Sequence, residues 1–319
     1  MSSPRVVALG GGHGLAASLS ALRHLTHELT AVVTVADDGG SSGRLRRELG
    51  VIPPGDLRMA LTALCDDGEW GHTWRDVLQH RFTSSGALDQ HAVGNLLIVA
   101  LWELLGDPVK GLDWVGRLLG SRGRVLPMST VPMDIEADVE GLAGAPTSTV
   151  VRGQAAVATT PGDVTGVRLL PADAPACPEA VQAVLDADWV VLGPGSWFTS
   201  VMPHLLVRDL RDALLTGPAC TCLTLNLAAP SGETAGLSAA DHVRVLARHA
   251  PGLRVDVVLA DPLAVDDVAD LTAAVSEVGG ELVLRPVAAA PREERHDPLR
   301  LAAAFRDVFD RRPPEPGRR

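Results

Sequence analysis

The sequence predicts an α/β protein built on a Rossmann-like, doubly wound, mostly parallel sheet, with a helical insertion and a small β-rich extension. Three observations carry that prediction. The chain opens on a short apolar run, Arg5–Leu9, followed at once by four glycines, Gly10, Gly11, Gly12 and Gly14. Apolar runs alternate with segments of helical period at both ends of the chain, the pattern of βαβ units. Polar, glycine-rich stretches follow several of those runs, and open parallel sheets hold ligands at such strand ends. At 319 residues, 46% of them hydrophobic, the chain has material for a sizeable core.

Taken in order, Arg5–Leu9 reads as a buried parallel strand and Leu15–Leu25 as a helix. Strand, glycine turn, helix is the geometry that delivers backbone N–H groups and a helix N-terminus to a phosphate. Gly12-His13-Gly14-Leu15-Ala16-Ala17 has the G-x-G-x-x-G/A spacing, which makes Gly10, Gly11, Gly12, His13, Gly14 and Leu15 the first candidate phosphate-binding residues. A plain tight turn is the alternative.

Leu29–Val35, rich in Val and Thr, reads as a second strand. The loop after it carries Asp37, Asp38, Gly39, Gly40, Ser41, Ser42 and Arg44. Asp37 and Asp38 suit ribose hydroxyls, or Mg²⁺ held against a diphosphate, or simply the capping of the Gly39-Gly40 turn. Arg44 stands at the start of a short helix, Arg44–Leu49, where a cation opposes the helix dipole and points to an anionic ligand; a solvated surface arginine is the alternative. Asp56, in the turn Pro53–Asp56, is the expected N-cap of a helix over Leu57–Cys65.

Residues 71–120 read as consecutive helices, His72–Phe82, His91–Leu105 and Val109–Leu119, inserted on the sheet. Residues 124–170 break into short strands: Val125–Met128, Met133–Val139, Thr147–Val151, Ala155–Ala158 and Val164–Leu169. Alternation then resumes with helix Pro178–Ala187, strand Trp189–Leu192, helix Pro203–Leu215, strand Ala219–Leu225, helix Ala239–His249, strand Val255–Ala260, helix Val265–Val278, strand Leu282–Pro286 and helix Pro298–Phe309. The expected organisation is a single domain over 1–310 with a disordered tail at 311–319.

A second phosphate-loop candidate follows the strand Trp189–Leu192: Gly193, Pro194, Gly195 and Ser196, with the hydroxyls of Thr199 and Ser200 beside it. Two glycine-rich strand ends on one sheet edge suit a diphosphate better than a monophosphate. His91 and Asn95 are four apart and share a helix face that either points into the cleft or serves as a cap and a helix-to-sheet bond. No Ser-His-Asp arrangement, HExxH run or metal-cysteine pattern is present, so no catalytic residue and no metal ligand set is assigned. The net charge of −11, from 28 basic and 39 acidic residues, argues against nucleic acid as a partner. Lys110 is the only lysine, so any bound anion is met by N–H groups and arginines. Cys65, Cys177, Cys220 and Cys222 read as core residues. No leader and no run of about 18 apolar residues is evident, and a cytoplasmic protein with no membrane partner is expected.

These motifs together resemble the YvcK/CofD superfamily, and its YvcK branch, the gluconeogenesis factors, in particular. The matching runs are GGGHGL (Gly10–Leu15), VTVADDGGSSGRLR (Val33–Arg46), PPGDLR (Pro53–Arg58), HAVGNLL (His91–Leu97), LPMST (Leu126–Thr130), VLGPGSWFTSVMPHLLV (Val191–Val207), GETAGLSAADHV (Gly232–Val243) and RHDPLRLA (Arg295–Ala302). The resemblance implies a Rossmann-like fold that binds UDP-activated sugars such as UDP-N-acetylglucosamine. It also implies a cytoplasmic regulator that links carbon metabolism to cell-wall synthesis and cell shape, with no reaction and no required cofactor. On that reading the two glycine loops hold the diphosphate, Asp37 and Asp38 meet sugar or ribose hydroxyls, Asn95 and Asn226 meet polar edges, and Arg295 closes over the nucleotide. The CofD branch implies the alternative, a Mg²⁺-dependent 2-phospho-L-lactate transferase of coenzyme F420 synthesis, but its loop after the second strand lacks the GGSSGRLR continuation seen here. The chain departs from the family pattern at His13, where Thr is usual, at Trp197-Phe198, where Leu-Tyr is common, and over Leu227–Ser231. A nicotinamide-dependent oxidoreductase would rest on glycine spacing alone. A homodimer is expected on general grounds for a cytoplasmic α/β protein.

Overall fold

The structure, a computed structural model, describes residues 3–142, 144, 147–227 and 232–311. Two sheets organise it. The larger has seven strands, all pairing in parallel. They are β1 (Val6–Gly10), β2 (Leu29–Val33), β3 (Arg124–Pro127), β7 (Trp189–Leu192), β8 (Cys220–Thr224), β9 (Val257–Ala260) and β10 (Glu281–Leu284). The smaller is antiparallel, made of β4 (Asp134–Glu140), β5 (Thr149–Arg152) and β6 (Asp163–Leu170) in the order β5-β4-β6. The central strands β1, β7 and β8 are buried along their whole length, which is why they read as unbroken apolar runs rather than alternating ones.

Between these strands lie α1 (Gly12–Leu22), α2 (Gly40–Leu49), α3 (Gly55–Ala63), α4 (Glu69–Gln79), α5 (Val93–Leu105) and α6 (Pro108–Leu119). They are followed by α7 (Gln154–Ala158), α8 (Pro178–Asp186), α9 (Pro203–Leu206), α10 (Arg208–Thr216), α11 (Ala239–His249), α12 (Val268–Glu277) and α13 (Pro298–Phe309). Helix α1 packs on α3 and α13, α10 on α8, and α11 on α12. The expected helical insertion is the run α4 to α6 between β2 and β3, and the β-rich extension is the three-stranded sheet with α7.

Strand order fixes where a ligand can sit. Across the large sheet it runs β10-β9-β8-β7-β1-β2-β3. From β1 the chain steps outward through β2 to β3; from β7 it steps outward the other way through β8 and β9 to β10. Neighbouring strands β1 and β7 therefore mark the point where the winding reverses, and right-handed crossovers put the following helices on opposite faces there. The two glycine loops follow these two strands, so both open at the crevice that such a reversal leaves at the carboxyl edge.

Several boundaries differ from expectation for local reasons. Residues Ala155–Ala158 are helical, not a strand: Gln-Ala-Ala-Val-Ala is a good helix-forming run, and the Asp38 carboxylate accepts the Ala155 N–H at 3.0 Å at its first turn. The helix expected from Arg44 starts at Gly40, so Ser41, Ser42 and Gly43 belong to its first turn and Arg44 lies inside it. Asp56 is not an N-cap: the cap of α3 is Pro54, and Asp56 is within the first turn, half-buried. His91 precedes α5 instead of opening it. The single helix expected over Pro203–Leu215 is split into α9 and α10, and it is preceded by a π-helical turn at Trp197–Val201 in which the N–H groups of Ser200 and Val201 share the Ser196 carbonyl, at 2.9 and 3.1 Å. Of the expected disordered tail, Arg311 is described and pairs with Glu281; the rest, like Ala228–Ser231, lies outside the described residues.

Candidate functional site

The loop after β1 and the loop after β7 touch. A Cβ placed on Gly14 would stand 2.1 Å from the Pro194 carbonyl oxygen, so only glycine permits α1 to start this close to the neighbouring loop. Ser18, one turn on, donates its hydroxyl to the Gly193 carbonyl at 2.9 Å. Asn226, just past β8, clamps the same loop from the other side: Gly195 N–H donates to Oδ1 and Nδ2 donates to the Gly195 carbonyl, both at 2.9 Å. Asn226 therefore spends its amide on holding the loop, not on a free polar edge.

Beside these contacts lies a cavity of about 420 Å³, lined among others by His13, Gly14, Gly195, Ser196, Arg295 and His296. Its polar wall is built by a residue the sequence reasoning did not select, Glu233. The carboxylate is 3% exposed and accepts the Ser196 hydroxyl at 2.5 Å and the Phe198 N–H at 3.1 Å, while Thr199 donates to Ser196 at 2.6 Å. Thr199 is thus buried behind Ser196 and orders it. Burial raises the Glu233 carboxyl above the ordinary carboxylate range, against the pull of those hydrogen bonds. Its second oxygen, Oε2, is buried without a partner among the described residues.

His296 is the other residue missed. Burial pushes its imidazole down to about 4, so it is neutral at physiological pH. One ring nitrogen meets the Leu225 backbone and the other, Nε2, is buried and unpaired. The neighbouring Arg295, which was singled out, is mostly exposed and paired with Glu293 at 3.1 Å on the rim of the cavity. Glu233 and His296 both line this cavity, and each carries a buried polar atom without a hydrogen-bond partner among the described residues. The GET run held the signal for Glu233; for His296 the signal was its place beside Arg295.

The candidates after β2 form a separate buried cluster rather than part of this wall. His91 Nδ1 meets the Ser41 hydroxyl at 3.0 Å, and Asn95 Nδ2 donates to Ser41 at 3.0 Å and to Ser42 at 3.5 Å. Burial, and then the charge of Arg44, lowers the His91 pKa. Asp37 accepts the Gly39 N–H at 2.9 Å, the turn-capping role, and burial raises its carboxyl. Asp38 caps α7. Arg44 donates to the carbonyls of Asp89, at 2.6 Å, and Ala87, at 3.3 Å, so it holds the 84–90 loop instead of facing an anion. The cluster meets the glycine loop through Asp56, which is pushed up to about 7 by burial and by the nearby Asp37 charge and accepts the Gly12 N–H. Among the described residues no group of three or more His, Cys, Asp or Glu could hold a metal ion. Asp37 and Asp38 each accept one backbone N–H, from Gly39 and Ala155 respectively.

A family model described as 2-phospho-L-lactate transferase CofD matches residues 6–277. A Mycobacterium tuberculosis protein named "Putative gluconeogenesis factor" is 54% identical over 318 residues, 97% of this chain and 93% of its own length. The gluconeogenesis factor of Bacillus subtilis is 35% identical over 264 residues, 83% of this chain and 80% of its own. The chain belongs to the YvcK branch of the YvcK/CofD family. A crystal structure of a UPF0052 family member from Bacillus halodurans superposes on this YvcK-family chain with a TM-score of 0.84 at 31% identity, covering 95% of this chain and 99% of that one. Among the described residues no helix of this YvcK-family protein is long and apolar enough to cross a membrane.

Proposed function

We propose that this protein binds a UDP-sugar of the UDP-N-acetylglucosamine type in the cavity between the two glycine loops. In this reading it is a cytoplasmic regulator that links carbon metabolism to cell-wall synthesis and cell shape, acts without turnover, requires no cofactor, and works as a homodimer. The single observation that carries the reading is the contact of Gly14 with the Pro194 carbonyl, which joins two N–H-rich turns at the reversal of the sheet beside an open cavity. Gly10–Leu15 and Gly193–Ser196 would hold the diphosphate through backbone N–H groups, with Ser196 and Ser200 adding hydroxyls. Arg295, flexible in reach and on the rim, would pair with a phosphate oxygen, and the unpaired Nε2 of neutral His296 would accept a donor from base or sugar. The gluconeogenesis-factor names of the relatives support the carbon-metabolism side.

Calorimetry with UDP-N-acetylglucosamine tests it: saturable binding is expected, and Gly14→Ala should weaken it at least tenfold by forcing the loops apart. No heat at millimolar ligand removes the reading. The match to the CofD model favours a second reading, Mg²⁺-dependent transfer of a phospholactyl group to a deazaflavin acceptor. Product formation from the activated phospholactate donor, dependent on Mg²⁺, would decide for it.

A further inference from the structure

A second cavity, of about 510 Å³, also lined by His13, lies against α1, α3 and α4. Its wall carries four arginines: Arg23, Arg58, Arg75 and Arg81. The two acidic residues on the same wall are already engaged, Asp67 by Arg23 and Arg122 and Asp66 by Arg122. Arg75 pairs with its neighbour Asp76 at the surface. Arg58 and Arg81 differ. Arg81 donates to the Gln90 carbonyl at 2.9 Å and Arg58 reaches only the Leu78 carbonyl, at 3.4 Å; among the described residues neither has a carboxylate in ion-pair reach.

Arg58 is 4% exposed and its Nε makes no hydrogen bond. Burial, and then the like charge of Arg81, pull its guanidinium down to about 10. A buried cation facing a second cation, with a donor unused, is an unfavourable arrangement that an anion relieves. Asp56 and Asp37 favour its charge, but burial raises both carboxyls, that of Asp56 to about 7, so they are partial counter-charges at best. The side chain is also held in place: a Cβ on Gly94 of α5 would stand 2.8 Å from Arg58 Cδ and 2.8 Å from the Leu78 carbonyl. The glycine in the VGN run therefore makes room for the Arg58 stem, which fixes a guanidinium in advance of any ligand.

We propose that this second cavity is an anion site that takes a phosphate group, with Arg58 at its floor and Arg81 at its rim, and that His13 joins it to the nucleotide cavity. None of the groups that hold a diphosphate in the reading above, His13 apart, is used here, so the inference stands independently of that reading. The phosphate belongs either to a separate phosphorylated metabolite or to the far end of the same nucleotide ligand, and the two sources give different results.

The test is calorimetric titration of the full chain with inorganic phosphate, in the wild type, Arg81→Gln and Arg58→Gln, each checked by its melting curve. Phosphate binding should weaken roughly tenfold or more in both variants, the size of one lost charge-assisted hydrogen bond. Arg58→Gln risks the fold; Arg81→Gln, at an exposed position, does not, and it decides alone if needed. The same proteins are then titrated with UDP-N-acetylglucosamine. An affinity that Arg81→Gln leaves within twofold assigns the phosphate to a separate metabolite. A parallel loss, with inorganic phosphate competing, assigns it to the nucleotide. Phosphate affinity unchanged in Arg81→Gln, or no phosphate binding by folded wild-type protein at millimolar concentration, overturns the proposal. Failure of UDP-N-acetylglucosamine to bind the wild type would sink the nucleotide reading and leave this test intact.

Discussion

Asp56 ties the glycine loop to the acidic cluster behind it, and its protonation has a measurable consequence. The folded-state pKa, about 7, lies above the ordinary value of 3.8. Between those two pH values the folded protein keeps a proton that the unfolded chain has released. Stability from this group is therefore fully present below about pH 4 and is lost as pH rises through 7, by up to about 4 kcal/mol. Asp56→Asn keeps an acceptor for the Gly12 N–H and removes the charge, so its melting temperature should overtake that of the wild type between pH 5 and pH 8. A wild-type minus variant difference that is flat over that range refutes this. A second residue prediction concerns Glu233. Glu233→Ala strands the Ser196 hydroxyl and the Phe198 N–H, and should cost about 1–3 kcal/mol in denaturant melts; Glu233→Gln, which keeps an acceptor, should recover most of it. At this scale the sequence disclosed residue types but not their engagements. Arg44, read as a cation awaiting an anion, is spent on two backbone carbonyls that lie more than forty positions downstream, and nothing in its neighbours announces that. Glu233 and His296 matter because burial strips them of water, and burial of an isolated polar residue leaves no local trace in the sequence.

Among the elements, α7 is the instructive case. The sequence reads Ala155–Ala158 as a strand of the extension; the contact that favours helix there is the Asp38 carboxylate, more than a hundred residues earlier, at the first turn of Gln154–Ala158. Tertiary capping of this kind lies beyond any window of local propensity. It also separates two roles for Asp38. As a cap, Asp38→Ala should lower global stability by about 1 kcal/mol and speed amide exchange over Gln154–Ala158, while Asp38→Asn keeps much of both. If UDP-N-acetylglucosamine affinity drops far more than stability in Asp38→Asn, a ligand role outweighs the capping one. The elements that were legible are those with their own signature: β1, β7 and β8 as buried apolar runs, the glycine turn ahead of α1, and α13 after its Asp297 cap and Pro298.

For the molecule as a whole, the informative fact is strand order. The alternation of strand and helix predicted a parallel sheet, and that sheet is present. The adjacency of β1 and β7, however, follows from how the chain packs after an excursion through the helices α1 to α8 and a second sheet, and no spacing in the sequence encodes it. The inference that two glycine loops share an edge was available from fold class; that they are direct neighbours, close enough for Gly14 to meet Pro194, was not. If the nucleotide binds the folded state alone, ligand at 100 times its Kd should add about 2.7 kcal/mol of stability and raise the melting temperature by roughly 4 °C. The Gly14→Ala variant, weakened at least tenfold, should show at most about half of that shift in the same thermal scan.

The cavity wall draws on His13 near one end of the polypeptide and His296 near the other. A growing chain therefore carries the His13 side of this wall long before the His296 side exists. On the proposed nucleotide reading, a copy that stops before His296 lacks part of the wall and should not bind UDP-N-acetylglucosamine.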